Sequence, residues 1–226
     1  MSSSPTPAEE RLQRLAAGLA HDFANALAGI LGNLHLAQME LPAGSPALED
    51  LAEIESAARG AVELVRKVQL YAGRKAPILV PLSLNALVTD DKARLVEIAS
   101  GAALELALAP DLPDVAGDGE ILKAVVASVA ANAREAIGER AGGRVRISTA
   151  ASDADARLEV TDNGDGMGDE VRERAFDPYF STKPHRKGLS LAVALGAVRA
   201  HGGRIEIDSA PGRGATVRLI FPRVLR

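Results

Sequence analysis

The stretch LAHDFANALAGILGNL, at residues 19–34, contains a histidine in a setting that could support nucleophilic chemistry. His21 is followed at once by Asp22, and Asn25 lies four residues on, one helical turn away on the same face. A carboxylate that holds the Nδ1 proton of the imidazole would leave Nε2 as the nucleophile. The plainer interpretation is a polar stripe on a surface helix, and the rest of the sequence has to separate the two.

Four segments in the second half of the chain carry further polar residues. Asn132 lies in a predicted helix and offers a neutral oxygen of the kind that suits Mg²⁺. Asp162 ends a predicted strand, and Gly164 and Gly166 follow in a glycine-rich turn. The plainer interpretations are a core amide for Asn132 and a turn cap for Asp162. The segments are SVAANAREAI (128–137), DNGDGM (162–167), FDPYFSTK (176–183) and SAPGRGATVRL (209–219).

The composition excludes several classes of protein. Aromatic residues make up 3% of the 226 residues and the net charge is −4, which argues against a nucleic-acid partner. The chain has no cysteine, so disulfides and thiolate chemistry are excluded. The N-terminus MSSSPTPAEE has no apolar signal region, and no run approaches the roughly 20 apolar residues that span a bilayer. These features predict a cytoplasmic protein with no membrane contact and no membrane sensor.

The first third of the chain is predicted to be a helical hairpin. Apolar residues recur every three or four positions from Ala8 to Leu41 and again from Leu48 to about Gly73, around the turn LPAGSP. A hairpin leaves part of its apolar surface uncovered, so we expect a homodimer that closes a four-helix bundle. The alternative is packing of the hairpin against the rest of its own chain.

The sequence therefore divides into four parts. They are a disordered tail (1–7), a helical hairpin expected to dimerise (8–76), a linker with two prolines (77–81) and a second domain (82–226). In the second domain, helices are predicted at about 84–99, 119–139, 169–176 and 189–201, and strands at 103–109, 144–150, 156–161, 204–209 and 215–221. This grouping predicts an α/β sandwich, and thus an α+β chain as a whole.

Together, and in this order, the four segments resemble the N, G1, F and G3 boxes of the ATP-binding domain of bacterial histidine kinases. That domain belongs to a superfamily that includes gyrase-type ATPases, with a Bergerat-type α/β sandwich. The HDxxN pattern at residues 21–25 resembles the H box of the same family, so the resemblance runs from about residue 10 to 222. It implies that the hairpin at 8–76 is a dimerisation and histidine-phosphotransfer domain and that residues 82–226 are a catalytic ATP-binding domain.

The resemblance implies ATP and Mg²⁺ as cofactors, with binding residues in the second domain. Asp162 would accept a hydrogen bond from adenine N6, Gly164 and Gly166 would let the backbone approach the base and ribose, and Asn132 would bind Mg²⁺. Lys183 would meet a phosphate as a point charge.

The resemblance also implies a reaction, in which His21 is autophosphorylated and then passes the phosphoryl group to an aspartate of a response-regulator receiver domain. Asp22 would act as the base for His21, and Asn25 would orient a water for phosphatase activity. His21 lies two positions past Leu19, roughly 200° around the helix, so we expect it to face solvent when Leu19 points inward. His35, His185 and His201 have no such context, and His35 serves as a control.

The chain departs from the family at the ATP lid, which normally ends in a glycine run GxGTGLGL. Here the segment is KPHRKGLSLAVALG (183–196), where only Gly188 and Leu189 fit and Arg186 and Lys187 replace glycine and threonine. The two basic side chains would meet the triphosphate, leaving a working kinase. In the alternative the lid binds no ATP, and the protein is a histidine phosphotransferase or a receiver-binding scaffold without chemistry.

Overall fold

The computed structural model describes residues 7–42, 44–71, 77–183 and 188–224, with side chains from residue 18 on except at 21, 63, 64 and 66–71. The predicted disordered tail lies outside the described residues apart from Pro7, which begins the first helix. The chain divides into two compact units, Met1–Lys75 and Ala76–Arg226. Within the described residues, none of the helices combines the length and the apolar character needed to cross a membrane.

The first unit is a pair of helices, α1 (Pro7–Glu40) and α2 (Ala47–Tyr71), which pack on each other. Small and aliphatic side chains line the contact, with Ala20 and Leu34 buried on α1 and Ala58 buried on α2. Gln38 reaches across the contact and donates to the Glu55 carboxylate at 3.2 Å. Ser45 starts α2 through its carbonyl, which accepts from the Leu48 N–H at 3.0 Å.

The apolar residues predicted on α1 form two adjacent stripes, of which only one is covered within the single chain. The stripe through Ala20, Leu27 and Leu34 faces α2 and is buried or half-buried. A second stripe, rotated by about 60°, contains Leu19, Phe23 and Ile30, which remain 51%, 59% and 48% exposed. One partner helix covers only one of these stripes. Leu19 therefore does not point inward within the single chain. The side chain of His21 lies outside the described residues, so its predicted exposure stays a prediction.

The second unit contains all the strands of the described chain and five helices. The strands are β1 (Val80–Leu82), β2 (Ala103–Ala107), β3 (Val115–Gly117), β4 (Arg144–Ala151), β5 (Asp155–Asp162), β6 (Arg204–Ser209) and β7 (Ala215–Pro222). The helices are α3 (Leu84–Asp90), α4 (Lys92–Ile98), α5 (Gly119–Ile137), α6 (Asp169–Arg174) and α7 (Ser190–Ala200). Five strands form one mixed sheet in the order β2-β4-β5-β7-β6, and β1 and β3 form a separate antiparallel pair.

The sheet has one buried face and one solvated face. On β5, Ala156, Leu158 and Val160 are buried beneath the helix layer, while Arg157 and Glu159 between them lie on the other face and pair with each other. Alternation with a period of two puts Asp162 on the buried face, directly after Val160. Helices α5 and α7 pack on each other and on the sheet, so the core lies between one helix layer and one sheet.

Most predicted elements of the second unit are confirmed to within two residues, and the differences at three places have a physical reason. The helix predicted at 84–99 is two short helices, because Asp91 leaves helical geometry between them. The helix predicted at 119–139 ends at Ile137, where Gly138 takes a positive φ of 59°. The predicted linker at 77–81 overlaps β1, and neither β1 nor β3 is predicted, because strands of three residues are too short to show an alternating pattern.

Candidate functional site

Asp162 sits at the end of β5 with its carboxylate buried and held at one oxygen. Oδ1 accepts from the backbone N–H of Gly164 at 2.8 Å and from that of Ala215 at 3.3 Å. Among the hydrogen bonds between described residues, none goes to Oδ2. Asp162 thus caps its own turn, as the plainer interpretation predicts, and keeps a second oxygen with acceptor capacity.

The burial of Asp162 also changes its acidity. Burial disfavours the charged carboxylate and raises the pKa of Asp162 above its usual range. The two backbone N–H groups and the charges of Lys183 and Arg140 act in the opposite direction without cancelling the effect of burial. The site thus holds a carboxylate that takes up a proton at a higher pH than an exposed aspartate does.

Gly164 and Gly166 place the turn after Asp162 against two neighbouring segments. A Cβ on Gly164 would overlap the carbonyl of Ala136, near the end of α5, and Asp165 donates from its backbone to that same carbonyl at 3.1 Å. Gly166 has a φ of 67°, and a Cβ there would overlap the carbonyl of Ala210 in the β6–β7 turn. The two glycines therefore let the turn after Asp162 pack closely against α5 and against the β6–β7 turn.

The β6–β7 turn closes the other side of the same loop. Gly212 donates to the Asp165 carbonyl at 2.6 Å, and the Ser209 hydroxyl donates to the Gly214 carbonyl at 2.7 Å while accepting from Met167 at 2.8 Å. The two segments that resemble the G1 and G3 boxes are thus in direct contact. The motif analysis missed Ser209 as a contributor, although it is the first residue of the segment SAPGRGATVRL.

Helix α5 presents Asn132 and Glu135 on the side that meets the glycine-rich turn. Residues three and four apart share a helix face, so Asn132 lies on the face of Ala136, which contacts Gly164, and Glu135 lies three residues beyond Asn132. Asn132 is half-buried, whereas Val129 and Ala133 on the core side are fully buried, so Asn132 is not a core amide.

Mg²⁺ prefers oxygen ligands, keeps several of its waters and uses few protein ligands, so a single amide oxygen is a suitable protein ligand for it. Asn132 offers that oxygen at the edge of the core. In the described part of the chain, no group of three or more His, Cys, Asp or Glu side chains could hold a metal ion. Glu135 was not predicted as a site residue; its carboxyl group lies one turn beyond Asn132, and the acidic residue three positions after Asn132 is the sequence signal that could have identified it.

Lys183 approaches the same face of α5 from the segment that follows α6. Its Nζ lies 3.8 Å from Glu135 Oε2, and Ser181 holds the local backbone by accepting from the Lys183 N–H at 3.1 Å. Burial lowers the pKa of Lys183, and the nearby charges of Asp165 and Asp162 oppose that change. The structure therefore brings a lysine and three carboxylates together around one site.

Gly188 lies in the predicted lid segment (183–196) and contacts the segment FDPYFSTK that precedes it. The Gly188 carbonyl accepts from the Tyr179 N–H at 3.0 Å, and a Cβ on Gly188 would overlap the backbone of Phe180. Arg174 lies over the Phe180 ring, 4.1 Å from its centroid, and steadies that side of the contact. Arg186 and Lys187 lie outside the described residues, so their predicted contact with a triphosphate stays a prediction.

The residues of the HDxxN pattern all lie on α1, in the helical unit. Asp22 and Asn25 are exposed, and the side chain of His21 is outside the described residues. His35 is exposed on the same helix. His201, by contrast, is a core histidine, because Nδ1 contacts the Ala197 carbonyl at 2.7 Å and Nε2 accepts from the Asp118 N–H at 3.0 Å.

Comparison with known proteins agrees with this arrangement. Residues 117–225 match the family of histidine kinase-, DNA gyrase B- and HSP90-like ATPases. The chain is 32% identical to the sensor kinase CckA of Brucella abortus, over 94% of this chain and 24% of that protein. It is also 32% identical to the sensor histidine kinase ZraS of Escherichia coli K12, over 93% of this chain and 45% of that protein. The chain thus spans less than half the length of these two relatives.

The fold agrees as well. A crystal structure of full-length ShkA in complex with AMPPNP superimposes with a TM-score of 0.81 at 24% identity, over 94% of this chain and 47% of that one. The ATPase family matches the second unit, and the two sensor kinases and the ShkA structure match the chain over both units. These matches support a two-component histidine kinase core, and residues 117–225 of the chain match the histidine kinase-, DNA gyrase B- and HSP90-like ATPases.

Proposed function

We propose that this core binds Mg-ATP between α5 and the glycine-rich turn, phosphorylates His21, and passes the phosphoryl group to an aspartate of a response-regulator receiver domain. The observation that carries the proposal is the carboxylate of Asp162, which is buried and fixed through Oδ1 while Oδ2 keeps its acceptor capacity. A buried acceptor that is held rigid at one oxygen suits recognition of a single N–H donor, and the exocyclic amine of adenine is such a donor.

Three further residues of the second unit would act on the triphosphate. Asn132 would hold Mg²⁺ through its amide oxygen, and Lys183 would place its ammonium against a phosphate oxygen. Mg²⁺ supplies positive charge to the phosphate oxygens during phosphoryl transfer. Gly188 would hold the lid segment to the chain that precedes it, since its carbonyl accepts from the Tyr179 N–H.

On α1, the proposed acceptor is Nε2 of His21. In the transfer, a bond forms between Nε2 and the γ-phosphorus while the bond from that phosphorus to the bridging oxygen of ADP breaks. The Nδ1 proton, which the new phosphoryl group makes more acidic, would be held by Asp22. Asn25, exposed one turn along the helix, would orient a water molecule when a phosphorylated receiver is hydrolysed.

The test is an incubation of the full chain with Mg-ATP labelled at the γ-phosphate, followed by detection of acid-labile label on the protein. The wild type and His35→Ala should take up label, and His21→Ala should lose it entirely, because phosphohistidine is formed only at His21. Label that persists in His21→Ala contradicts the assignment of the acceptor.

The glycine-poor segment KPHRKGLS favours a second candidate, an ATP-independent phosphotransferase that uses the same histidine. That candidate predicts no label from ATP but transfer of label from a phosphorylated receiver domain to His21. Absence of label from both donors would leave a receiver-binding scaffold without chemistry.

A further inference from the structure

The turn after Asp162 is tied to the chain between α5 and β4 by one side chain from each of the two segments. Asn163 accepts at Oδ1 from the backbone N–H of Arg144 at 2.8 Å, and its Nδ2 donates to the Gly142 carbonyl at 2.9 Å. From the other segment, Arg140 donates to the Asn163 carbonyl at 3.0 Å. Each segment thus supplies a side chain that binds the backbone of the other.

These bonds act on the part of the turn closest to Asp162. Val145 and Asp162 are the last paired residues of β4 and β5. The Asn163 side chain continues that pairing by one step, through the Arg144 N–H. The next residue, Gly164, donates its N–H to Asp162 Oδ1. A displacement of Asn163 therefore moves both the residue before it and the N–H group that fixes the carboxylate.

Other contacts hold the far end of the turn. The Asp165 N–H donates to the Ala136 carbonyl at 3.1 Å, and the Asp165 carbonyl accepts from Gly212 at 2.6 Å. Arg140 spans both ends, because it also pairs with the Asp165 carboxylate at 2.9 Å. Its charge opposes the rise that burial causes in the pKa of Asp162, which places Arg140 within electrostatic range of that carboxylate.

The place of a carboxylate, and not only its charge, decides which purine it accepts. Adenine offers its exocyclic N6–H as a donor beside the acceptor N1, whereas guanine has the acceptor O6 there and donors at N1 and N2. A carboxylate opposite the 6-position therefore binds adenine and repels guanine. Moved along the same edge of the base toward N1 and N2, it meets two donors of guanine.

We propose that Asn163 and Arg140 are positioning residues that hold the Asp162 carboxylate opposite the 6-position of the purine and so select adenine over guanine. They act through the turn and not by contact with the base. The triphosphate is common to both purine nucleotides, so only a change at the base alters the preference between them. This inference rests on the proposed function, since it takes Asp162 to bind the base.

The test compares the affinities of the full chain for AMPPNP and for its guanine counterpart, GMPPNP, by calorimetric titration at pH 8 in excess Mg²⁺. The ratio of the two affinities is the adenine preference. Asn163→Ala removes both side-chain bonds and should lower this preference by about tenfold, the size of one hydrogen bond at the base. Arg140→Gln breaks the contact from the other segment and should lower it by a similar factor. Arg140→Gln replaces Asn163→Ala if that variant does not fold.

Matched controls lie elsewhere in the same unit. Asn85 on α3 is half-buried like Asn163. Its side chain also donates to a backbone carbonyl, that of Ala109, at 2.7 Å, and it accepts from the Thr149 hydroxyl at 2.7 Å, toward the other end of β4. Asn85→Ala should lower stability and leave the adenine preference unchanged. Arg204 on β6 pairs with an acidic residue of β5 at 2.9 Å, and Arg204→Gln should leave the preference unchanged as well.

The outcomes separate this inference from the function on which it rests. A wild-type chain that binds neither nucleotide, or binds both equally, contradicts the proposed function. A wild-type preference for AMPPNP that persists in Asn163→Ala or in Arg140→Gln contradicts the positioning role of that residue. A preference that falls equally in the controls shows a general loosening of the unit and also contradicts the inference. A preference that falls only in Asn163→Ala and Arg140→Gln supports it.

Discussion

The carboxylate of Asp162 serves two purposes, one for each oxygen. Oδ1 stabilises the turn through the N–H groups of Gly164 and Ala215, and Oδ2 remains for a ligand. An isosteric amide can preserve the first purpose and reverse the second, because its oxygen accepts both backbone bonds while its NH₂ group is a donor. The structure thus offers a substitution that separates folding from nucleotide recognition.

Asp162→Asn should weaken AMPPNP binding by roughly 10- to 100-fold, the cost of losing one hydrogen bond to a charged acceptor and placing two donors together. Calorimetric titration at pH 8 measures the change. The control is Asp165→Asn in the same turn, whose side chain is 82% exposed and pairs with Arg140. Equal affinity losses in the two variants would contradict a specific role for Asp162.

Because the pKa of Asp162 is raised, we expect the stability of the fold and its affinity for AMPPNP to change with pH in opposite directions. Because the pKa is higher in the folded state, the ionised carboxylate costs stability above that pKa, and protonation recovers it as the pH falls. Asp162→Asn should therefore be at least as stable as the wild type at pH 8 in a thermal melt. AMPPNP binding by the wild type should weaken as the pH falls through this raised pKa, before exposed aspartates titrate.

Among the elements, α1 carries more apolar surface than α2 can cover. The stripe of Leu19, Phe23 and Ile30 is exposed in the single chain, and Ile54 on α2 is 48% exposed as well. Exposed apolar residues that repeat along a helix favour association with a second copy. This exposure supports the predicted homodimer, which stays a proposal.

Phe23→Asp should shift the chain from dimer to monomer and raise the dissociation constant by at least about 100-fold, because it places a charge in the proposed contact. Multi-angle light scattering over a range of concentrations measures the change. Met39→Asp is the control, since Met39 is 72% exposed on another face of α1. A wild-type monomer at all concentrations, or a dimer of unchanged affinity in Phe23→Asp, would contradict the dimer.

For the whole molecule, the division into two compact units predicts two thermal transitions. AMPPNP with Mg²⁺ at about 100 times its dissociation constant stabilises the unit that binds it by about 2.7 kcal/mol, a rise of roughly 5–10 °C for a unit of this size. Only the transition of Ala76–Arg226 should respond. The transition of the helical unit should instead rise with protein concentration, as expected of a dimer.

Differential scanning calorimetry of the full chain measures both transitions. His21→Ala provides the control, because it removes the proposed acceptor without touching the nucleotide site and should leave the response to AMPPNP intact. One cooperative transition that shifts as a whole would show that the two units unfold together and would contradict this prediction.

The sequence alone determined the class of fold, the order of the elements and the residues of the boxes. Period-two alternation identified the strands of the main sheet to within two residues, and the glycine-rich turn after Asp162 marked the site. These features depend on neighbours in the chain, so a linear pattern contains them. The split of the helix at Asp91 and the short strands β1 and β3 carry no periodic signal of their own.

Only the tertiary structure decided which groups meet. The pairing of β5 with β7 brings Ala215 to the Asp162 carboxylate, and the chain after α6 brings Lys183 to Glu135, 48 positions earlier in the sequence. The sequence likewise could not separate the two apolar stripes of α1, because both have helical spacing and only the position of α2 covers one and not the other. Contacts between residues far apart in sequence arise from strand register and packing, and no local pattern records them.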